Sequence, residues 1–125
     1  MGKNFLIAED NGINLDMLKE LLKEEGAACD CAKNGMAAVD LFRHSKKGQY
    51  DLIFMDVQMP DMDGYEATRA IRQMKHPDAK DIPIVAMTAN AFSNDVKAAF
   101  DCGMNAHLAK PVNIDRIKDI VANFT

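Results

Sequence analysis

Glu9, Asp10, Asp56, Thr88 and Lys110 are the residues of this chain whose types and placement could support chemistry together. Each stands at or within two residues of the end of a short apolar run, the runs being Phe5 to Ala8, Leu52 to Met55, Ile84 to Met87 and Ala106 to Leu108. If those runs are parallel strands of one sheet, three carboxylates, a hydroxyl and an ammonium meet at its carboxyl edge, where an open α/β sheet binds its ligands. Two like charges about 4 Å apart repel by roughly 4 kcal/mol at an effective dielectric near 20, so the three acids cannot all stay ionised without a counter-charge. Lys110 supplies one, which leaves a formal −3 + 1 = −2. A divalent cation would cancel that sum, and an all-oxygen ligand set with room for water favours Mg²⁺. Lys110 and Thr88, a point charge and a hydroxyl donor, suit the oxygens of a phosphoryl group held covalently on a neighbouring carboxylate.

The elements that must position these groups follow from periodicity. Short apolar runs alternate with longer segments of helical period, which predicts an α/β fold, a parallel sheet with helices on both faces. A further run, Ala27 to Ala32, brings the strands to five, and the third and fourth are apolar throughout, as strands buried on both faces should be. The first helix is expected over Asn14 to Glu25, with Met17, Leu18, Leu21 and Leu22 facing inward and Gly26 as its stop. A second, Met36 to Ser45, would bury Ala37, Ala38, Leu41 and Phe42. The third opens at Asp63 with Glu66 as a capping-box partner and ends before Pro77. The fourth covers Ser93 to Cys102, and the fifth runs from Asn113 to about Asn123 with Ile114, Ile117, Ile120 and Val121 inward.

Composition limits the alternatives. At 125 residues, 48% hydrophobic and 27% charged, the chain is expected to be one domain spanning 1–125. Fifteen basic against nineteen acidic residues, a net charge of −4, argue against direct nucleic-acid binding. The apolar runs fall far short of the roughly 18 residues of a membrane span, so no membrane contact by this domain is expected. With Met1-Gly2-Lys3-Asn4 leading directly into the first strand, no signal peptide is expected, and three cysteines, an odd number, point to a reducing cytoplasm.

The motifs around these residues resemble a known family. They are Glu9-Asp10-Asn11, the block from Met55 to Gly64 that contains Asp56, Gln58 and Pro60, Met87-Thr88-Ala89, and Lys110-Pro111. Their order and spacing resemble the receiver domain of two-component signalling, the phosphoacceptor module of response regulators. The resemblance implies a flavodoxin-like, doubly wound sheet of strand order 2-1-3-4-5. It implies that Asp56 is phosphorylated from a phosphohistidine, and that Asp10, Asp56 and the backbone carbonyl of Gln58 hold Mg²⁺ while Glu9 assists through water. Thr88 and Lys110 would contact the phosphoryl oxygens, small Ala89 would leave room for them, and a cis bond between Lys110 and Pro111 would aim the lysine. Thr88 would move toward the acyl phosphate with a side chain on the last strand behind it. That position holds His107, where many relatives carry Tyr or Phe.

The implied partner is a histidine kinase or a histidine phosphotransfer domain, and a weak homodimer is compatible with the same resemblance. Ile13 and Leu15, apolar residues beside the acidic pair, are expected to form the docking patch. The segments Met87 to Phe92 and Gly103 to Leu108 look most like receivers of hybrid histidine kinases, which would make the chain the cytoplasmic part of a membrane-bound sensor kinase, a stand-alone cytoplasmic regulator being the other option. Such a domain is no conventional enzyme, since it catalyses only its own modification. A rival is an aspartyl-phosphate hydrolase of the haloacid dehalogenase kind, but such enzymes carry a second Asp two residues after the nucleophile, where this chain has Gln58. An inactive receiver used as an interaction module is the third reading, disfavoured by the full set of acidic, hydroxyl and lysine positions. Asp61-Met62-Asp63-Gly64 is no calcium loop, because that frame puts Met59 and Ala70 at ligand positions. Cys29-Asp30-Cys31 lacks the second pair that a zinc site needs. His44 and His76 carry no signal.

Overall fold

A computed structural model of the chain describes residues 3–89, 93–110 and 112–125. Five parallel strands, β1 (Asn4–Ala8), β2 (Ala28–Ala32), β3 (Leu52–Asp56), β4 (Ile84–Thr88) and β5 (Ala106–Ala109), lie in the order β2-β1-β3-β4-β5. This is the flavodoxin-like arrangement, with helices α1 (Gly12–Glu24), α2 (Gly35–Arg43), α3 (Gly64–Arg72), α4 (Ser93–Cys102) and α5 (Ile114–Phe124) between and after the strands. No helix among the described residues is long and apolar enough to cross a membrane.

Strand alternation divides the core in two. Leu6, Ala8, Ile53, Met55, Ile84 and Ala86 pack with Ala38, Phe42, Ala67, Ile71 and Ala99 of α2, α3 and α4. Phe5, Ile7, Leu52, Phe54, Val85, Met87 and Leu108 point to the other face, against Leu15, Leu18 and Leu22 of α1 and Ile117 and Ile120 of α5. There the rings of Phe5 and Phe54 meet edge to face at 5.6 Å. Central β3 and β4 are buried at every residue, which is why both are apolar up to the Asp and Thr that end them.

Two helices, α1 and α2, start earlier than their apolar stripes suggest, because of their caps, while α3 opens behind Asp63 as expected. The Asn11 side chain accepts the Asn14 N–H, that of Asn34 accepts the Ala37 N–H, and Asp63 and Glu66 form a reciprocal capping box. The inward faces also differ from the expected ones by about one position. Met17 and Leu41 are exposed; Leu15, Leu18 and Leu22 carry α1, and Ala38, Val39 and Phe42 carry α2. On α5 only Ile117 and Ile120 are fully buried, with Ile114 and Val121 at the margin. An i, i+3, i+4 pattern leaves two adjacent choices of stripe, and docking on the sheet selects one.

Candidate functional site

The carboxyl ends of β1, β3 and β4 and the residue after β5 bring the expected groups together. Glu9 and Asp10 follow β1, Asp56 and Thr88 are the last residues of β3 and β4, and Lys110 follows β5. One carboxylate oxygen from each of Glu9, Asp10 and Asp56 lies within 4.8 Å of the others. The Lys110 ammonium closes the group, 2.8 Å from Glu9 Oε1 and 2.9 Å from Asp56 Oδ2. Its backbone is fixed as well, since the Lys110 N–H donates to the Thr88 carbonyl at 2.8 Å.

Burial makes this an electrostatically tight site. Glu9 and Asp56 are each 2% exposed and Thr88 5%, whereas Asp10 is open to solvent. Desolvation, followed by the hydrogen bond with the Asp56 side chain, raises the Glu9 carboxyl above its ordinary value against the pull of Lys110 and of the Asn11 N–H. Desolvation pulls the Lys110 ammonium down, but its hydrogen bonds to Glu9 and Asp56 and their charges outweigh that, so it too lies above its ordinary value. Two backbone donors complete the carboxylates: the Asn11 N–H to Glu9 Oε2 and the Gln58 N–H to Asp56 Oδ1, both at 3.1 Å.

The remaining expected residues scatter. Gln58 is exposed at its side chain and meets Asp56 through its backbone. His107 is half-buried, beside Ala86 in the strand register, and opposite in facing to Leu108, so it looks toward α4. Ala89 is exposed next to the site. The Lys110–Pro111 bond involves a residue outside the described ones. Ile13 is 74% exposed on α1, but Leu15 is 8% exposed and belongs to the core, so it is not part of a docking patch. A two-residue step on a helix turns a side chain by about 200°, which takes Leu15 to the far side from Ile13.

Two residues quoted only as parts of motifs have supporting roles that the sequence reading missed. Asn11 both caps α1 and presents its N–H to Glu9. Gly64 starts α3 so close to the sheet that a Cβ there would overlap the Asp56 carbonyl oxygen. The signal was present in Asn11-Gly12, Asn34-Gly35 and Asp63-Gly64, three cap-then-glycine pairs at three helix starts. His76 is also more than a surface residue. It accepts the Asp78 N–H at Nδ1, which leaves Nε2–H to donate to the Ser45 carbonyl at 2.9 Å, and its ring lies 4.3 Å from that of Phe42.

Comparison with known proteins agrees with this geometry. Residues 5–122 match the response regulator receiver domain. Hybrid signal transduction histidine kinase B of Dictyostelium discoideum is 41% identical over 124 residues, covering 92% of this chain and 6% of that protein. The chain thus spans only a small part of the length of that relative. Among solved structures, the receiver domain of sensor histidine kinase PA1611 from Pseudomonas aeruginosa PAO1, with a magnesium ion coordinated in its active-site cleft, superposes with a TM-score of 0.88 at 33% identity over 99% of this chain and 98% of that one. The receiver domain of the Saccharomyces cerevisiae response regulator Ssk1, crystallised with the histidine phosphotransfer protein Ypd1, gives 0.85 at 32% identity over 98% and 88%. The chain belongs to the response regulator receiver family and is a receiver domain of two-component signalling, similar to those of hybrid histidine kinases.

Proposed function

We propose that this receiver takes a phosphoryl group on Asp56 from a phosphohistidine of a histidine kinase or histidine phosphotransfer domain, with Mg²⁺ as cofactor. The observation that carries the reading is the closed group of Glu9, Asp10, Asp56 and Lys110, in which one ammonium bridges two buried carboxylates and a third carboxylate lies alongside. An acidic set with one internal cation and an exposed third member fits a hard divalent ion, whose ligands would be Asp10, Asp56 and the Gln58 carbonyl with Glu9 assisting. When bound, Mg²⁺ supplies charge neutralisation for the incoming phosphoryl oxygens.

The chain's own residues account for the remaining steps. An Asp56 carboxylate oxygen attacks phosphorus, the phosphorus–oxygen bond forms as the phosphorus–nitrogen bond breaks, and the electron pair stays on the departing imidazole nitrogen. Lys110, freed from its ground-state pairing with Asp56 Oδ2, turns its charge to the phosphoryl oxygens, and the Thr88 hydroxyl donates to another. Thr88 and His107 form the route by which the site reports to the α4 side of the sheet. Exposed Ile13, beside the site, supplies an apolar anchor for the phosphodonor. A cytoplasmic setting, within a longer hybrid kinase, suits such a donor.

Acetyl phosphate with MgCl₂ tests the assignment directly. An acid-stable, hydroxylamine-labile adduct that maps to Asp56, is absent in Asp56→Asn and depends on Mg²⁺ is the expected result. Labelling that persists in Asp56→Asn, or steady turnover of phosphate esters, overturns it.

A further inference from the structure

We propose that Asn11–Gly12 is a site of spontaneous deamidation, which converts the cap of α1 into aspartate and isoaspartate beside the acidic cluster. A side chain on the residue after asparagine hinders ring closure, and this chain has two Asn–Gly pairs, Asn11–Gly12 and Asn34–Gly35. The fold separates them. Asn11 and Gly12 are both exposed, and nothing lies within 4 Å of where a Gly12 Cβ would sit. As the first residue of α1, Gly12 has an N–H with no carbonyl partner within the helix, so its nitrogen can leave the peptide plane without breaking the helical ladder. Gly35 is also the first residue of its helix, and both asparagine side chains cap, Asn11 accepting the Asn14 N–H at 3.0 Å and Asn34 the Ala37 N–H at 2.8 Å; what differs is burial, since Gly35 lies under the carbonyl of Met62 and Asn34 is half-buried.

The chemistry needs only water. The Gly12 nitrogen attacks Asn11 Cγ, a carbon–nitrogen bond closes a succinimide ring, and the side-chain nitrogen leaves as ammonia with the proton of the Gly12 amide. One water then adds at either ring carbonyl and opens the ring to aspartate or isoaspartate, with no change of oxidation state. Aspartate is as good an N-cap as asparagine and favours a helix N-terminus, so α1 persists in that product. It places a new carboxylate on the residue whose N–H already meets Glu9 Oε2. Isoaspartate instead lengthens the main chain by one atom between Asp10 and α1.

Peptide mapping by mass spectrometry of the whole folded protein, aged in warm neutral buffer, tests this without any phosphoryl-transfer readout. The Asn11 peptide should lose its amide several-fold faster than the Asn34 peptide, with isoaspartate the larger product, and Gly12→Ala should slow the loss at Asn11 alone. In concentrated urea the two sites should converge. Equal rates in the folded protein, a faster Asn34, or a native ratio no different from that in urea would overturn the proposal.

Discussion

Glu9 and Asp56 hold carboxylate oxygens within 4.8 Å of each other although each residue is only 2% exposed. One follows β1 and the other ends β3, and these two strands are hydrogen-bonded neighbours, so sheet register enforces the encounter. Burial removes the solvent that would screen them, and the Lys110 ammonium at 2.8 and 2.9 Å is what makes the pair tolerable.

Lys110→Met should therefore be destabilising at neutral pH without divalent cations. Removing one partner from a fully buried ion pair costs about 3–5 kcal/mol. The Lys110 side chain is 20% exposed, so a loss somewhat below that span, about 2–3 kcal/mol, is expected here. Protonation relieves the repulsion left behind, so the deficit should shrink as pH falls. Urea unfolding across a pH series measures both. A variant as stable as the parent at neutral pH would mean that Lys110 does not balance these acids.

The Glu9 carboxyl gives the pH sign. Its folded value lies above the ordinary 4.5, so the fold favours its protonated form. The stability this contributes is fully present below that ordinary value and is lost as pH rises through the raised one. Glu9→Gln keeps the shape without the charge, and should raise the melting temperature at neutral pH in metal-free buffer and lose that advantage in acid. Adding MgCl₂ should stabilise the parent more than the variant, and chelation should reverse the gain. A variant that melts below the parent at neutral pH, or gains equally from Mg²⁺, contradicts the electrostatic account.

How far the sequence reveals this fold varies with the range of the interaction concerned. Glu9, Asp10, Asp56, Thr88 and Lys110 were legible because each ends an apolar run, and strand ends in a parallel sheet share one edge. Asp63 with Glu66 was legible because a capping box is local. What was not legible depends on docking. The choice between Met17 and Leu15 as the inward residue of α1 is settled by how the helix rolls on Ile7 and Phe54. Arg72 is the last residue of α3. It proves to donate to the carbonyls of Gly103 and Ala79 and to Asn105 Oδ1, partners at separations of 31, 7 and 33 residues. No local pattern announces such a clamp.

Cys29 offers a test on the opposite side of the sheet edge. Burial, followed by the neighbouring Cys31, pushes its thiol up to about 11. Thiolate is the reactive form, so at pH 8 alkylation of Cys29 should be on the order of a hundredfold slower than that of a free thiol. The rate should keep climbing with pH well beyond the ordinary thiol range. Iodoacetamide labelling followed by peptide mass spectrometry gives the profile, and a plateau near pH 9 would show an unperturbed group. Because the folded value exceeds the ordinary 9.0, the thiol's contribution to stability should be intact below pH 9 and decline as pH rises toward 11.

Gly64 ties the stability of α3 to the position of Asp56. A Cβ added there would overlap the Asp56 carbonyl oxygen and press to within 2.9 Å of Val57 Cα and 3.0 Å of the Asp56 carbonyl carbon. All three neighbours are backbone and cannot rotate aside, so Gly64→Ala should cost about 1–3 kcal/mol through strain. Gly12→Ala is the matched control: it too is the first residue of a helix, but it faces open space, and alanine there should be neutral or stabilising by up to about 1 kcal/mol. The difference between the two isolates the close approach from the general preference of helices for alanine. If Asp56 accepts phosphate, Gly64→Ala should also slow labelling by acetyl phosphate at temperatures where the variant remains folded, since relief of the overlap must move the β3 end. Equal unfolding midpoints for the two variants would show that α3 can shift away without disturbing the strand that carries Asp56.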